Sequence, residues 1–454
     1  MLFGSCFNDA WQSIIKPATY IKMPHTTQES SSAETPFARF ARRIPMLSPL
    51  LKRDFRLLWI GEGVSLLGGQ FQVVALSWLT LQITGSGLAL GTVLMVGAIP
   101  RAIFILIGGA LSDILSPRRI MIASNLLRSL VVGAVALLVF FDNAELWHLY
   151  AFSIIFGIVD SFFHPALNTI IPRVVDRDNL ESGNAILRGT HELTYLIGSA
   201  PAGILISAAG MDLAFGIDSV AFVLSAICLY NMSEIKGNIA RLSGDLKTFP
   251  GRGRFDGLLA DVKQGLKYTW GKPAFRALIL AIAVIDFAFA GPLDVGLAWL
   301  ANNRFAGGAT AFGIILSAFG GGALVGTIIS GTVKMRRRGY LLAVTGAFLG
   351  IGLTLYGVIG TVFGAALLSV IMGVGVGIFN IVLISWFQKE APPNMVGRVM
   401  SLLTFASVGL MPISFALSGM LVDLHAPFLF ALAGGMTLLA CLYLLCVPAV
   451  RKID

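Results

Sequence analysis

The chain has 454 residues, of which 56% are hydrophobic and 13% charged, and its formal net charge is +9. A soluble globular domain carries about 25% charged residues, so the composition places the chain in a lipid bilayer. The four cysteines, Cys6, Cys228, Cys441 and Cys446, form no C-x-x-C pair and no metal-binding spacing.

Residues 1 to about 50 are polar. A Ser/Thr/Glu stretch runs from Thr26 to Thr35, followed by Arg39, Arg42 and Arg43, the composition of a disordered or surface extension. Apolar spans follow at about 56–82, 88–111, 119–141, 147–170, 185–208 and 213–232. A longer polar loop, about 233–273, comes next. Its end, Phe255 to Trp270, has apolar residues at helical spacing among Lys263 and Lys267, which predicts an amphipathic helix lying on a membrane surface. Six further spans are expected at about 274–300, 309–332, 340–358, 361–387, 398–421 and 427–448.

These runs are long enough to cross a hydrocarbon core of about 30 Å as helices. They do not alternate with period two, which excludes a membrane β-barrel. The expected fold class is therefore all-α integral membrane, with about twelve transmembrane helices. The longest loop divides them six and six, and this symmetry suggests two facing bundles around a central site with alternating access. The expected organisation is an N-terminal extension (1–50), a first bundle (51–232), a linker (233–273) and a second bundle (274–454).

The loops on the side of the chain ends carry Lys52, Arg53, Arg56, Arg118, Arg119, Arg173, Arg336, Arg337, Arg338, Lys389, Arg451 and Lys452. The opposite loops offer Arg304 with Asp142, Glu145, Asp212 and Asp423. Cytoplasmic loops collect Lys and Arg, so both termini and the 233–273 loop are expected to be cytoplasmic. The same asymmetry explains the net charge without nucleic acid.

At the turn between the second and third spans stands Gly108-Gly109-Ala110-Leu111-Ser112-Asp113-Ile114-Leu115-Ser116-Pro117-Arg118-Arg119. This string resembles the G-x-L-x-D-R-x-G-R-R/K loop of the major facilitator superfamily. The likeness runs from Phe55 to Pro448 and is greatest to the drug, macrolide and enterobactin exporter branch. It is carried by Phe55-Arg56-Leu57-Leu58-Trp59, Thr84-Gly85-Ser86, Phe163-His164-Pro165-Ala166, Ile171-Pro172-Arg173, Asp218-Ser219-Val220-Ala221-Phe222 and Gly397-Arg398. Two positions depart from the family pattern. Ile114 stands where the loop usually has arginine, and Gly69 stands where many relatives place an acid. In the fifth span, Gly198-Ser199-Ala200-Pro201-Ala202-Gly203 looks like the antiporter signature with its proline displaced. Small residues that pack helices would give the same string.

Ionisable residues inside spans are costly and are by default functional candidates. A rise of 1.5 Å per residue puts Arg101, Asp160 and Asp286 close to the mid-plane. The resemblance implies that Asp160 and Asp286 face a central cavity, joined by Glu62, Gln70 and Asn380. Arg101 would then neutralise one acid while the other exchanges protons, or it would pair with an acid only to hold helices together. Gly109, Asp113, Arg118 and Arg119 are the expected gating loop. Asp218, near the outer end of its span, is expected to cap or pack a helix, with a part in transport as the alternative. His164, one turn after Asp160, is expected to be a hydrogen-bonded structural histidine, the alternative being a group that titrates beside that carboxylate. Gly291-Pro292 is expected to interrupt the seventh span between Asp286 and Asp294, as a gate or as a static kink.

No G-x-x-x-x-G-K-[ST] loop occurs, so ATP is not the direct energy source. H-E-x-x-H and G-x-S-x-G are also missing, which argues against an intramembrane enzyme. The loops are too short to hold a signalling module. The resemblance implies proton-coupled efflux of a small amphipathic molecule, with import or uniport on the same fold as the alternative. No cofactor is expected, the proton gradient supplying the energy. The expected partners are a small-molecule substrate and the lipid bilayer of the inner (plasma) membrane, and the expected unit is a monomer.

Overall fold

The structure is a computed structural model that describes residues 45–114, 116–176, 179–233, 265–332, 337–392 and 395–453; side chains at 45, 46 and 105–114 are also outside the description. The polar extension up to residue 44 and most of the amphipathic helix expected over 255–270 lie outside the described residues.

The first half contains α1 (Arg53–Thr84), α2 (Gly87–Ile114), α3 (Pro117–Phe140), α4 (Leu146–Val174), α5 (Leu180–Ala209) and α6 (Met211–Tyr230). The second begins with α7 (Pro273–Asn303), α8 (Gly308–Thr332), α9 (Arg338–Tyr356) and α10 (Val362–Glu390). Their ends follow from local chemistry. Gly85, at φ 64°, closes α1 by donating its N–H to the Leu81 carbonyl at 2.7 Å, a left-handed cap that costs glycine little. Pro117 and Pro273 open α3 and α7 in the first turn, where a missing N–H leaves no bond unmade.

The last apolar stretch, Val396–Cys446, is 51 residues long and holds two passes. Backbone torsions leave the helical region at His425, with φ −163° and ψ 94°. Contacts on either side give the directions of travel. Gly419 and Val422 lie beside the start of α2 at Gly87. After His425 the chain descends along α9, with Pro427 beside Gly357, Gly434 beside Thr354 and Val450 beside Gly339. So 396–424 (α11) and 426–446 (α12) are antiparallel, and the passes among the described residues number twelve. The described residues thus form a multi-pass, all-α membrane protein in which residues 45 and 453 lie on one face, here the terminal face; the opposite face is the distal face.

The span expected to break at Gly291-Pro292 stays helical. Residues Pro292–Gly296 form a π-helical turn, and Gly291, Pro292, Gly296 and Leu297 all keep right-handed torsions. A π-bulge absorbs the proline without breaking the helix. Gly291 is required by close approach, because a Cβ there would strike Ser414 and Ser418 of α11.

The halves meet chiefly along α2–α11 and α5–α8. With no water to exclude, membrane helices associate through close backbone contact, which small residues permit. A Cβ at Gly203 would meet the Ala309 carbonyl and one at Gly313 the Ser199 carbonyl, while the Ser317 hydroxyl accepts from the Ala200 amide at 2.8 Å. The glycine- and proline-rich string of α5 therefore serves as this seam.

Polar contacts across the distal face complete the closure. Gln82 donates to Asn302 at 3.2 Å and Thr310 to Ser207 at 2.9 Å. Asp423 of α11 accepts from the Gly87 and Leu88 amides at 2.7 and 2.9 Å, from the Ser86 hydroxyl at 2.7 Å and from the Trp299 indole at 3.0 Å. A carboxylate of one half thus caps the first turn of a helix in the other, where unpaired amides and the helix dipole favour an anion. Gly313→Leu is expected to force α5 and α8 apart at a cost of about 1–3 kcal/mol. A lower melting temperature in detergent, with faster thiol labelling of a cysteine placed at Ser207, checks this; an unchanged melting point and labelling rate would mean that the seam tolerates the bulk.

Candidate functional site

Toward the terminal face the halves part around a cavity of about 190 Å³, lined by Arg188, His191, Glu192 and Tyr195 of α5, Thr327 of α8 and Asn380 of α10. The α5 residues 188, 191, 192 and 195 recur at helical spacing, which puts them on one face.

Beside this opening lies a buried charge cluster. Asp160 of α4, with its side chain 8% exposed, holds two arginines: Arg101 of α2 on Oδ2 and Arg128 of α3 on Oδ1. Arg101 is 43% exposed, whereas Arg128 is 5% exposed. Three rings surround the Arg128 guanidinium, Phe163 at 4.3 Å, Phe156 at 5.3 Å and Phe222 at 5.5 Å. Their π-faces compensate part of the hydration that the cation has lost. Glu62 of α1, 7% exposed, and Asp218 of α6, wholly buried, interact electrostatically with Arg128. Deeper on the α3–α6 contact, Asn125 donates to Ser225 at 2.9 Å.

The expected residues are distributed as follows. Asp160, Arg101 and Glu62 fall within the cluster. Asp286 stands apart in the second half, hydrogen-bonded to Ser407 of α11. Asn380 lines the cavity. Gln70 does not line this cavity: it is 5% exposed, accepts from Ser199 at 3.0 Å and packs on Gly198 in the α1–α5 seam. His164 is exposed and interacts electrostatically with Arg101, Arg128 and His191, a setting closer to a cavity wall than to a core. Arg118 donates to the Leu229 carbonyl at 2.8 Å and sits over Tyr230, so it closes the end of α6 within its own half. Arg119 stands in the first turn of α3. Gly109 and Asp113 belong to α2, but their side chains lie outside the described residues. Gly69, the departure from the usual acid, faces open space.

Arg128 was missed in the sequence reading although it was visible there. It is an isolated cation within the third apolar span, and the rule that flagged Arg101 applies to it equally. Asp218 was assigned to capping or packing. It lies in the third turn of α6, whose N-cap is Gly210, so it caps nothing.

The family model described as Major Facilitator Superfamily matches residues 58–414. The chain belongs to the Major Facilitator Superfamily. Among similar proteins, macrolide efflux protein A of Streptococcus pyogenes is 24% identical over 411 residues, spanning 89% of this chain and 98% of that protein. The multidrug efflux pump Tap of Mycolicibacterium fortuitum is 28% identical over 429 residues, spanning 89% and 97%. Among solved structures, a POT family transporter in complex with 5-aminolevulinic acid superposes with a TM-score of 0.69 at 14% identity, covering 88% of this chain and 97% of that one. A variant of the nucleoside transporter NupG gives 0.68 at 12%, covering 87% and 100%. These structures share the major facilitator fold, which accounts for the two six-helix bundles found here.

Proposed function

We propose that the protein is a secondary active exporter of small amphipathic molecules of the macrolide and multidrug type, working by alternating access and driven by the proton gradient. The observation that carries this reading is the pairing of a sealed distal face with a cavity open toward the terminal face, beside a buried cluster of arginines and acids. A closed seam and an open one at opposite ends of two bundles are what alternation of access requires. The likeness to proteins named for macrolide and multidrug efflux supports the direction and the substrate class. Buried acids supply groups able to carry a proton. The family membership and the missing catalytic signatures speak for a carrier and not an enzyme.

The cation excess on the terminal face supports a cytoplasmic position for both termini, in the inner (plasma) membrane. The described state then faces inward, ready to load from the cytoplasm. In a cysteine-free background, an impermeant thiol reagent added to intact cells is expected to label Asn143→Cys, and Lys452→Cys only after permeabilisation. The reverse pattern would overturn the orientation.

Function is tested by comparing a deletion strain and its complement across antibiotics, siderophores and sugars. The complemented strain is expected to accumulate less erythromycin, and a protonophore should abolish the difference. Faster uptake of a sugar or another nutrient, with erythromycin unchanged, would replace export by import.

A further inference from the structure

Asp218 has no hydrogen-bond partner among the described residues. It is wholly buried, and neither Oδ1 nor Oδ2 meets a donor. It is held tightly, since a Cβ at Gly68 of α1 would stand 2.7 Å from Oδ1 and 2.6 Å from the Ala221 Cβ. The side chain therefore cannot turn away toward α1. Its surroundings on the three helices packed against α6 are few in charge. Among the described residues the charged group that interacts with it is Arg128 of α3, and Glu62 of α1 and Asp160 of α4 act on that arginine.

Arg128 itself is half committed. One terminal nitrogen holds Asp160 Oδ1, while Nε is buried without a partner. It lies over the ring of Phe222, one turn beyond Asp218 on α6. Asp160 would stay paired if Arg128 left, because Arg101 holds its other oxygen.

An ionised carboxylate buried without donors is far more costly than the neutral acid. In the described state Asp218 therefore belongs in its neutral form, and the cation that interacts with it, Arg128, is held by another acid. We infer that Asp218 is the proton-carrying carboxylate of this transporter, with Arg128 moving between Asp160 and Asp218 as the proton leaves and returns. In the releasing step the O–H bond of Asp218 breaks and the proton passes to water, while the guanidinium leaves Asp160 Oδ1 and pairs with the new carboxylate. Arg101 keeps the charge of Asp160 compensated. The return step reverses each movement: a proton from water protonates Asp218, and Arg128 goes back to Asp160. The assignment rests on the proton-coupled reading given above and moves the coupling acid away from Asp160 and Asp286.

Two measurements on the purified full-length protein in lipid test it. Infrared spectroscopy at neutral pH is expected to resolve the carbonyl stretch of a protonated carboxylic acid that is lost in Asp218→Asn and kept in Asp286→Asn. Proteoliposomes with an imposed pH gradient are expected to accumulate erythromycin with the wild type. Asp218→Asn should only let erythromycin equilibrate down its own gradient, at a rate that also reports an intact fold. An unchanged infrared band in Asp218→Asn, or undiminished gradient-driven accumulation by that variant, overturns the assignment. Should Asp218→Asn fail to fold, Arg128→Lys provides the second test, because a lysine lacks the second arm needed to exchange carboxylates and is expected to slow accumulation at least tenfold while the infrared band remains. Accumulation by Arg128→Lys at the wild-type rate also overturns the proposal. A wild type that accumulates nothing under the pH gradient, yet equilibrates erythromycin, overturns the proton-coupled reading itself.

Discussion

Arg128→Ala is expected to abolish transport and to lower stability more than any other single substitution in the membrane interior. The change removes one of the two cations that hold Asp160 and leaves a hollow among Phe156, Phe163 and Phe222. Breaking a buried charge pair from one side costs about 3–5 kcal/mol, because the other charge stays buried. Glu62 loses its interaction with this cation as well. Removing Arg101 should be milder, since it is 43% exposed and water can take over part of its role. Melting curves of the two variants in detergent, together with erythromycin efflux from cells, check the ranking. An Arg128→Ala protein as stable as Arg101→Ala would mean that the aromatic cage and not the ion pair holds this region.

Asp423→Ala is expected to shift the protein toward a state open at the distal face. The carboxylate holds two backbone amides and a hydroxyl of the first half, together with the Trp299 indole of its own half. Asp423 is exposed, so the loss is smaller than for a buried group, about 1–2 kcal/mol for an anion at a helix start with its hydrogen bonds. That corresponds to a change of roughly 5- to 30-fold in the ratio of the two states. Thiol labelling of a cysteine at Gln82, itself part of the seal, should quicken by a similar factor, and Asp423→Asn should fall between wild type and Asp423→Ala. Equal labelling in all three would mean that the small-residue seams alone hold this face shut.

The twelve passes were legible because each apolar run is long enough to cross a bilayer and charged loops separate most of them. The exception is instructive: α11 and α12 share one 51-residue apolar stretch, in which only Asp423, His425 and Pro427 marked the reversal. The Gly291-Pro292 pair suggested a break, because a proline within a helix removes a hydrogen bond; the π-turn accommodates it by a change of spacing that composition does not encode. In the site, depth alone brought out Arg101, Asp160 and Asp286, but depth says nothing of which face a side chain takes. Gln70 therefore went to a helix seam, and Asp218, set aside for its distance from the mid-plane, proved to be fully enclosed. The pairing of one acid with two arginines required three helices to converge, which no local pattern records.

The turn at His425 has a mechanical consequence. With a single non-helical residue between them, α11 and α12 have no slack, and Asp423 lies only two positions before the bend. Any motion that pulls Asp423 off the start of α2 is passed on at once to α12 and, through the contact of Gly434 with Thr354, to α9. The second half thus behaves at this corner as a rigid lever whose short arm is the Asp423 contact. A few flexible residues inserted after His425 would act as a clutch, leaving the Asp423 contact free to release without turning the rest of the bundle.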